Sequence, residues 1–224
     1  MTNPLSYRTT GDTLRVRGIN TSFNVNGPGK RLVVHFQGCD LGCGGCFNKE
    51  LWSVKARTGV TAYQTDYSAR ELLRRLDEEE AEGITFSGGE PFQQGEEFLT
   101  LLALLRTRRG ARQAPNIVVF TGYTLEELDG FFPQGLKELL MTHIDMLISG
   151  RFEIANRLIE GDTYASSSNQ RVTLFGERFN DSDLKRHFSV DVLVDSTGGA
   201  LITGFPADKV LREIKDPATR KKSL

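Results

Sequence analysis

Three cysteines, Cys39, Cys43 and Cys46, fall within eight residues in the spacing C-x3-C-x2-C, and the 224-residue chain has no others. Directly before them runs Leu32-Val33-Val34-His35-Phe36, an apolar, partly β-branched stretch that reads as a buried strand. The cysteines therefore sit on a loop at a strand's end. Gly38, Gly42, Gly44 and Gly45 let that loop fold tightly enough to bring several thiolates and amides onto one small object. An odd, clustered set of cysteines fits metal ligation in a reducing compartment better than a disulfide framework. With no fourth cysteine, an iron–sulfur cluster held here has one iron without a cysteine ligand. The other solution is zinc, with His35 as the fourth ligand of a closed tetrahedral site.

Through the middle of the chain, short apolar strands alternate with amphipathic helices. Ser68-Ala69-Arg70-Glu71 has a capping-box pattern and opens a helix to about Glu82, closed by Gly83. Ile84-Thr85-Phe86 follows as a strand, then a helix from Glu96 to Arg106, then the strand Ile117–Phe120. Thr124 caps a helix at Leu125–Leu128; a further helix at Leu136–His143 leads to a strand beginning at Asp145. This order predicts the α/β class: a partial β/α barrel of parallel strands with right-handed crossovers. The loops after the strands, namely the cysteine loop, Ser87–Pro91, Thr121–Tyr123 and Ser149–Arg151, should converge on one face.

The flanks read differently. The first thirty residues look like an extended lead-in, with Leu14–Ile19 as an edge strand. Asn26-Gly27-Pro28-Gly29 reads as a tight turn, or as backbone facing the active site. Trp52, the only tryptophan, is read as a packing residue. Arg106, Arg108, Arg109 and Arg112 read as cations favoured at a helix end. Arg171–Phe175 is a fifth strand; Val190–Asp195 and Ala200–Thr203 flank Ser196-Thr197-Gly198-Gly199 as a C-terminal β-hairpin extension. A last helix is expected over 206–216, then a frayed basic tail over 217–224. The domain organisation is a lead-in over 1–23, a core over 24–175 and an extension over 176–224.

Charge narrows the partners. Twenty-eight Lys and Arg against twenty-nine Asp and Glu give a net charge of −1, so nothing draws the chain to nucleic acid or an anionic membrane. No apolar run approaches the roughly 20 residues that span a bilayer. The N-terminus lacks a signal peptide's apolar core, so a cytoplasmic location is expected.

Ser87-Gly88-Gly89-Glu90-Pro91 follows the second core strand. With the cysteine spacing before it, each motif after a strand, it resembles the GGEP motif of the radical S-adenosylmethionine superfamily. The resemblance is nearest to the small activating enzymes of anaerobic ribonucleotide reductase. Its carriers are Asn26–Gly29, Phe36-Gln37-Gly38-Cys39, Gly45-Cys46-Phe47-Asn48, Thr121-Gly122-Tyr123 and Ser168-Asn169-Gln170-Arg171, within residues 24–175. Two features depart from the pattern. Gly45 stands where many superfamily members have an adenine-contacting aromatic residue, with Phe47 following the cysteine instead. Ser149-Gly150 ends the fourth strand where the reductase activases would carry Asp-Gly.

The resemblance implies that Cys39, Cys43 and Cys46 bind three irons of a [4Fe–4S] cluster, with S-adenosyl-L-methionine chelating the fourth. It implies cofactor contacts from Gly45, Phe47, Ser87, Gly88, Gly89, Glu90, Thr121 and Ser149. Glycine at 88 and 89 exposes backbone to a charged ammonium, and Glu90 pairs with that ammonium or holds the strand end. Tyr123, Asn169 and Arg171 face the ligand or pack structurally. Reductive cleavage would yield a 5′-deoxyadenosyl radical that takes hydrogen, with no acid–base triad. The implied partners are a glycyl-radical protein, as substrate, and an electron donor such as flavodoxin or ferredoxin. Radical modification of another peptide or a small molecule is the other enzymatic reading. A non-catalytic iron–sulfur or zinc protein is the reading outside enzymes.

Overall fold

The structure, a computed structural model, describes residues 13–53, 61–107, 114–131, 136–158, 163–185, 190–194 and 200–205. Its strands are β1 (Thr13–Phe23), β2 (Lys30–Phe36), β3 (Thr61–Gln64), β4 (Gly83–Gly88), β5 (Asn116–Thr121), β6 (Met146–Ser149), β7 (Arg171–Leu174), β8 (Val190–Val194) and β9 (Ala200–Gly204). The helices are α1 (Thr65–Glu78), α2 (Glu96–Thr107), α3 (Leu125–Phe131) and α4 (Leu136–His143). Seven strands form one sheet in the order β3-β1-β2-β4-β5-β6-β7, and β8 pairs with β9 alone.

The parallel order expected from the strand–helix alternation holds for β2, β4, β5 and β6. It does not hold at the flanks, where β1 and β7 run antiparallel to their neighbours. The hydrogen-bonded order is open from β3 to β7, without the closure of a barrel. The connections explain this. A parallel crossover needs a helix between strands, but β1 reaches β2 through one short turn, which permits only an antiparallel pair. In that turn Asn24 takes a left-handed φ of 56° and its side chain accepts the Gly29 N–H at 2.7 Å. The turn lies at the start of β2, and its Asn26 lines the same cavity as Gly45 and Cys46.

Three local readings change. Leu14–Ile19 belongs to β1, which is flanked by β2 and β3 and so is no edge strand. Ser68 is not a cap: α1 begins at Thr65, and Ser68 is buried inside it. Gly83 does not end the helix but opens β4, after a turn in which Glu80 takes φ 50°. A side chain at Gly83 would collide with Asn116 of β5. The Leu136–His143 helix, the Thr124 cap and the β8–β9 hairpin are as expected; Thr124 Oγ1 accepts the Glu127 N–H at 3.2 Å. The expected helix at 206–216, the basic tail, and Arg108, Arg109 and Arg112 lie outside the described residues. Arg106 stands in the last turn of α2, as expected, and is half-buried as the partner of Asp145 at 2.6 Å.

Alternation along β2 sends Leu32, Val34 and Phe36 to one face, where they join Leu72 and Leu76 of α1 and Leu101, Leu102 and Leu105 of α2 in the main core. Phe98 of α2 stands edge-on to Phe36, Phe86 and Phe92, with centroids 5.6, 5.2 and 5.4 Å away. Such pairs contribute about 0.5–1.5 kcal/mol each beyond burial. Phe36 leads into the cysteine loop and Phe86 into Ser87–Pro91, so this aromatic cluster fixes where both loops start. On the opposite face, Val118, Met146 and Ile148 pack with Tyr164 and Phe179, while His35 and Ser87 line an open cavity.

Candidate active site

The cysteine loop is closed at its base by its own chain. Gly38 N–H donates to Leu51 O at 2.8 Å and Cys39 N–H to Trp52 O at 3.0 Å. The buried Gln37 amide donates to Glu50 O at 3.2 Å and Ser53 O at 2.9 Å. Trp52 thus anchors the loop through its carbonyl, with Lys49 Nζ 5.8 Å from its ring centroid. Inside the loop the Cys46 N–H returns to Cys43 O at 3.2 Å, turning through Gly45 at φ 82°.

The Ser87–Pro91 loop lies directly against the entry to this loop. Gly89 N–H donates to Phe36 O at 2.8 Å and Glu90 N–H to Gly38 O at 2.9 Å. A Cβ on Gly88 would stand 2.6 Å from Phe36 N, and one on Gly89 would run into the Gly38 backbone. Here the two glycines are required because two backbones touch, a reason independent of any ligand.

Glu90 is 1% exposed. Its Oε1 accepts the Phe92 N–H at 3.0 Å and the Thr121 hydroxyl at 2.7 Å; Oε2 accepts the Gly122 N–H at 2.8 Å. Burial pushes its pKa up to about 7 against these three donors, which favour the carboxylate. Of its two expected roles, the geometry shows the strand-end one: it knits the end of β4 to the end of β5. Gln93 adds a third tie. Its Oε1 accepts the Asp40 N–H at 3.2 Å, and its Nε2 donates to Tyr123 Oη at 2.8 Å and to the Asp40 carboxylate. Arg151 lies 5.2 Å over the Tyr123 ring, donating to Gly122 O at 2.9 Å and to Glu127.

The loops of β2, β4, β5 and β6 therefore do converge. Gly45, Phe47 and Ser87 line a cavity of about 810 Å³ together with Cys46. Phe47 rests 5.4 Å from Phe152, with Arg157 4.8 Å over its ring; a side chain at Gly45 would strike Ile154. Ser149 is buried at the end of β6, its hydroxyl 3.4 Å from Arg171 O. Tyr123 is core, and Asn169 donates to Arg151 O at 2.9 Å. Arg171 is exposed on β7.

The thiols suit a metal cluster. Burial, joined by the charges of Glu90, Cys43 and Cys46, pushes the Cys39 thiol up to about 12. Burial raises Cys43 too. Three cysteines on one loop offer the ligand count of a cube with three corners for thiolates and one left open. For the zinc alternative, His35 Nε2 is held 2.8 Å from Asn20 Oδ1, which leaves Nδ1 as its one possible ligand atom. Among the described residues, no three His, Cys, Asp or Glu side chains gather around a single ion position.

Sequence reasoning missed the roles of Gln37, Gln93 and Arg151, and it weighed His35 as a zinc ligand or, more often for such a residue, a structural one. One signal was present for His35: a polar residue at a face-alternating position inside an apolar strand run.

Residues 25–173 match the family of 4Fe-4S single cluster domains. The anaerobic ribonucleoside-triphosphate reductase-activating protein of Enterobacteria phage T4 is 31% identical over 66% of this chain and 86% of its own. The protein of that name from Vibrio cholerae is 30% identical over 67% of this chain and 92% of its own. The pyruvate formate-lyase-activating enzyme of Clostridium pasteurianum is 36% identical over 41% of this chain and 38% of its own. Among the described residues no helix is long and apolar enough to cross a membrane. With two thirds of its length matched and both motifs set against one cavity, the chain belongs to the 4Fe-4S single cluster domain family and is a radical S-adenosylmethionine enzyme resembling the glycyl-radical activases.

Proposed function

We propose that the protein generates a radical on a glycine of a partner protein. Cys39, Cys43 and Cys46 would hold three irons of a [4Fe–4S] cluster, and the amino and carboxylate groups of S-adenosylmethionine would take the fourth. The bound pair supplies, on one-electron reduction, a 5′-deoxyadenosyl radical able to abstract a hydrogen atom. The observation that carries this reading is the contact of the two motif loops. Gly89 and Glu90 are hydrogen-bonded to Phe36 and Gly38 beside the cysteines, and both loops border the same cavity.

The chain's own residues do three things there. The amides of Gln37 and Gln93 hold the cysteine loop at its base and at Asp40. Glu90 fixes the ends of β4 and β5 as a unit. Gly45, Phe47 and Ser87 form the cavity wall beside Cys46, where they would contact the cofactor and keep water out. The relatives' names point to an anaerobic ribonucleotide reductase or pyruvate formate-lyase as the kind of partner; flavodoxin or ferredoxin is the reductant class that the proposed chemistry would call for.

The test is anaerobic reconstitution with iron and sulfide, reduction, and quantification of 5′-deoxyadenosine beside Cys43→Ala. Product in the wild type alone supports the reading. A reducible cluster that never cleaves S-adenosylmethionine, with or without glycyl-radical proteins, sinks it.

A further inference from the structure

The lining of the single cavity can be taken in two halves that meet where His35 of β2 pairs with Ser87 of β4. One is bounded by Ser87, Phe120 and Gly45–Phe47, on the side assigned above to the cluster and S-adenosylmethionine. The other is bounded by Gly18 and Asn20 of β1, His35 of β2, and the turn residue Asn26 with Thr203 of the hairpin.

His35 is the group in this second half that the proposed chemistry leaves unused. Its tautomer follows from its neighbours. Asn20 Nδ2 donates to Thr21 O at 2.9 Å, so the amide presents its oxygen to the ring. Asn20 Oδ1 lies 2.8 Å from His35 Nε2, which must then carry the proton. The ring is neutral, in keeping with burial that lowers its pKa to about 4. A neutral ring protonated at Nε2 has a lone pair at Nδ1, and no hydrogen bond reaches that atom among the described residues. Asn26 and Thr203, by contrast, bond each other: Asn26 Nδ2 donates to Thr203 Oγ1 at 3.0 Å and to Ser22 Oγ at 2.9 Å.

Room accompanies the acceptor. At Gly18 the register of β1 against β2 shifts, and a Cβ placed there would meet nothing within 4 Å. The charged residues of the lining are Arg17, exposed at the rim, with Lys49, Glu50 and Arg157. A fixed neutral acceptor with open backbone beside it suits the N–H donor of an amide chain.

We infer that this half seats the glycine-bearing peptide segment, with His35 Nδ1 accepting one of its backbone N–H groups. The inference rests on the glycyl-radical reading. A buried N–H left without its acceptor is costly, so this one bond would discriminate between substrates.

The test uses the reconstituted holoenzyme and N-acetylated, C-amidated pentaglycine deuterated at the α-carbons, with its N-methylated counterpart as the second probe. Deuterium in 5′-deoxyadenosine, read by mass spectrometry, gives KM and kcat for each peptide. The electron paramagnetic resonance change of the reduced cluster on adding S-adenosylmethionine gives that ligand's Kd. The wild type should take deuterium from pentaglycine, with KM about tenfold or more higher for the N-methylated peptide. His35→Phe should raise the pentaglycine KM to a similar extent, abolish the difference between the peptides, and shift the Kd of S-adenosylmethionine less than about twofold. His35→Gln, which keeps an acceptor, should recover part of the loss. Gly18→Val should raise KM by filling the recess. Unchanged peptide discrimination in His35→Phe overturns the proposal alone. So does a loss that falls on the Kd of S-adenosylmethionine instead, since it would give the acceptor to the cofactor. Cofactor cleavage without deuterium transfer from either peptide in the wild type sinks the glycine reading, and this inference with it.

Discussion

The two ends of the parallel strands bury polar groups in opposite ways. At the starting end, Arg31 is wholly buried and fully bonded. It donates to Thr85 Oγ1 at 2.6 Å, Asn116 Oδ1 at 2.5 Å, Ile84 O at 2.8 Å, Pro28 O at 3.0 Å and Asn116 O at 3.1 Å. Burial lowers its pKa to about 10, so it remains charged at neutral pH. Close by, Asp145 accepts from Arg106 and from the Ile117 N–H, each at 2.6 Å. At the finishing end, Glu90 and Gln93 tie loop to loop, the Cys39 and Cys43 sulfurs meet only the backbone at Leu41 and Phe152, and His35 Nδ1 has no hydrogen-bond partner among the described residues. One end completes its bonds within the chain; the other leaves groups for a ligand. Stability and chemistry are thereby separable along the same four strands.

Substitutions can break that separation or sharpen it. The largest expected effect is Cys43→Ala: iron content and cofactor cleavage should fall to background, while urea unfolding of the metal-free protein shifts by less than about 1 kcal/mol. Arg31→Met should do the reverse. Stranding several buried acceptors should cost about 3–5 kcal/mol in urea unfolding, with iron bound per folded molecule unchanged. If Arg31→Met instead strips iron from a stable protein, the two ends are coupled and the comparison fails.

Glu90→Gln should fall between. The amide turns an NH2 toward a donor that now faces an oxygen, costing about 1–3 kcal/mol, and the cysteine loop should hold its cluster less well under a chelator challenge. The smallest effect concerns pH. The His35 pKa is lowered from 6.5 to about 4 by burial, so its contribution to stability is full above pH 6.5 and is lost as pH falls toward 4. Because His35 borders the open cavity, about 1 kcal/mol is expected. Glu90, raised to about 7, works in the opposite sense, losing stability as pH rises from 4.5 through 7. The measurement is therefore the difference between wild type and His35→Phe across this window. A difference that does not change with pH would show the ring to be solvated.

Much of this arrangement was legible before any coordinates. The cysteine loop, the Ser87–Pro91 loop and the core strands declare themselves by local chemistry: apolar runs, glycines and turn residues. What stayed hidden depends on contacts distant in sequence. Arg31 reads as a surface cation until Thr85 and Asn116 arrive beside it. Gln93 is an ordinary glutamine until the fold brings Asp40 and Tyr123 within reach. Ser68 matches a capping pattern, but α1 continues back to Thr65 and carries it inside the helix. The direction of β1 was likewise unreadable, since a strand's pattern does not reveal which neighbour it joins.

The cysteine loop joins Gln37, Gly38 and Cys39 at its entry to the carbonyls of Glu50, Leu51, Trp52 and Ser53 at its exit. The entropy of closing that ring is met by the polypeptide and not by the metal. A ring that keeps its outline by itself makes cluster loss a reversible injury. Were oxygen to strip a cluster held there, the loop would remain as a shaped receptacle, and repair would be a matter of resupply rather than refolding.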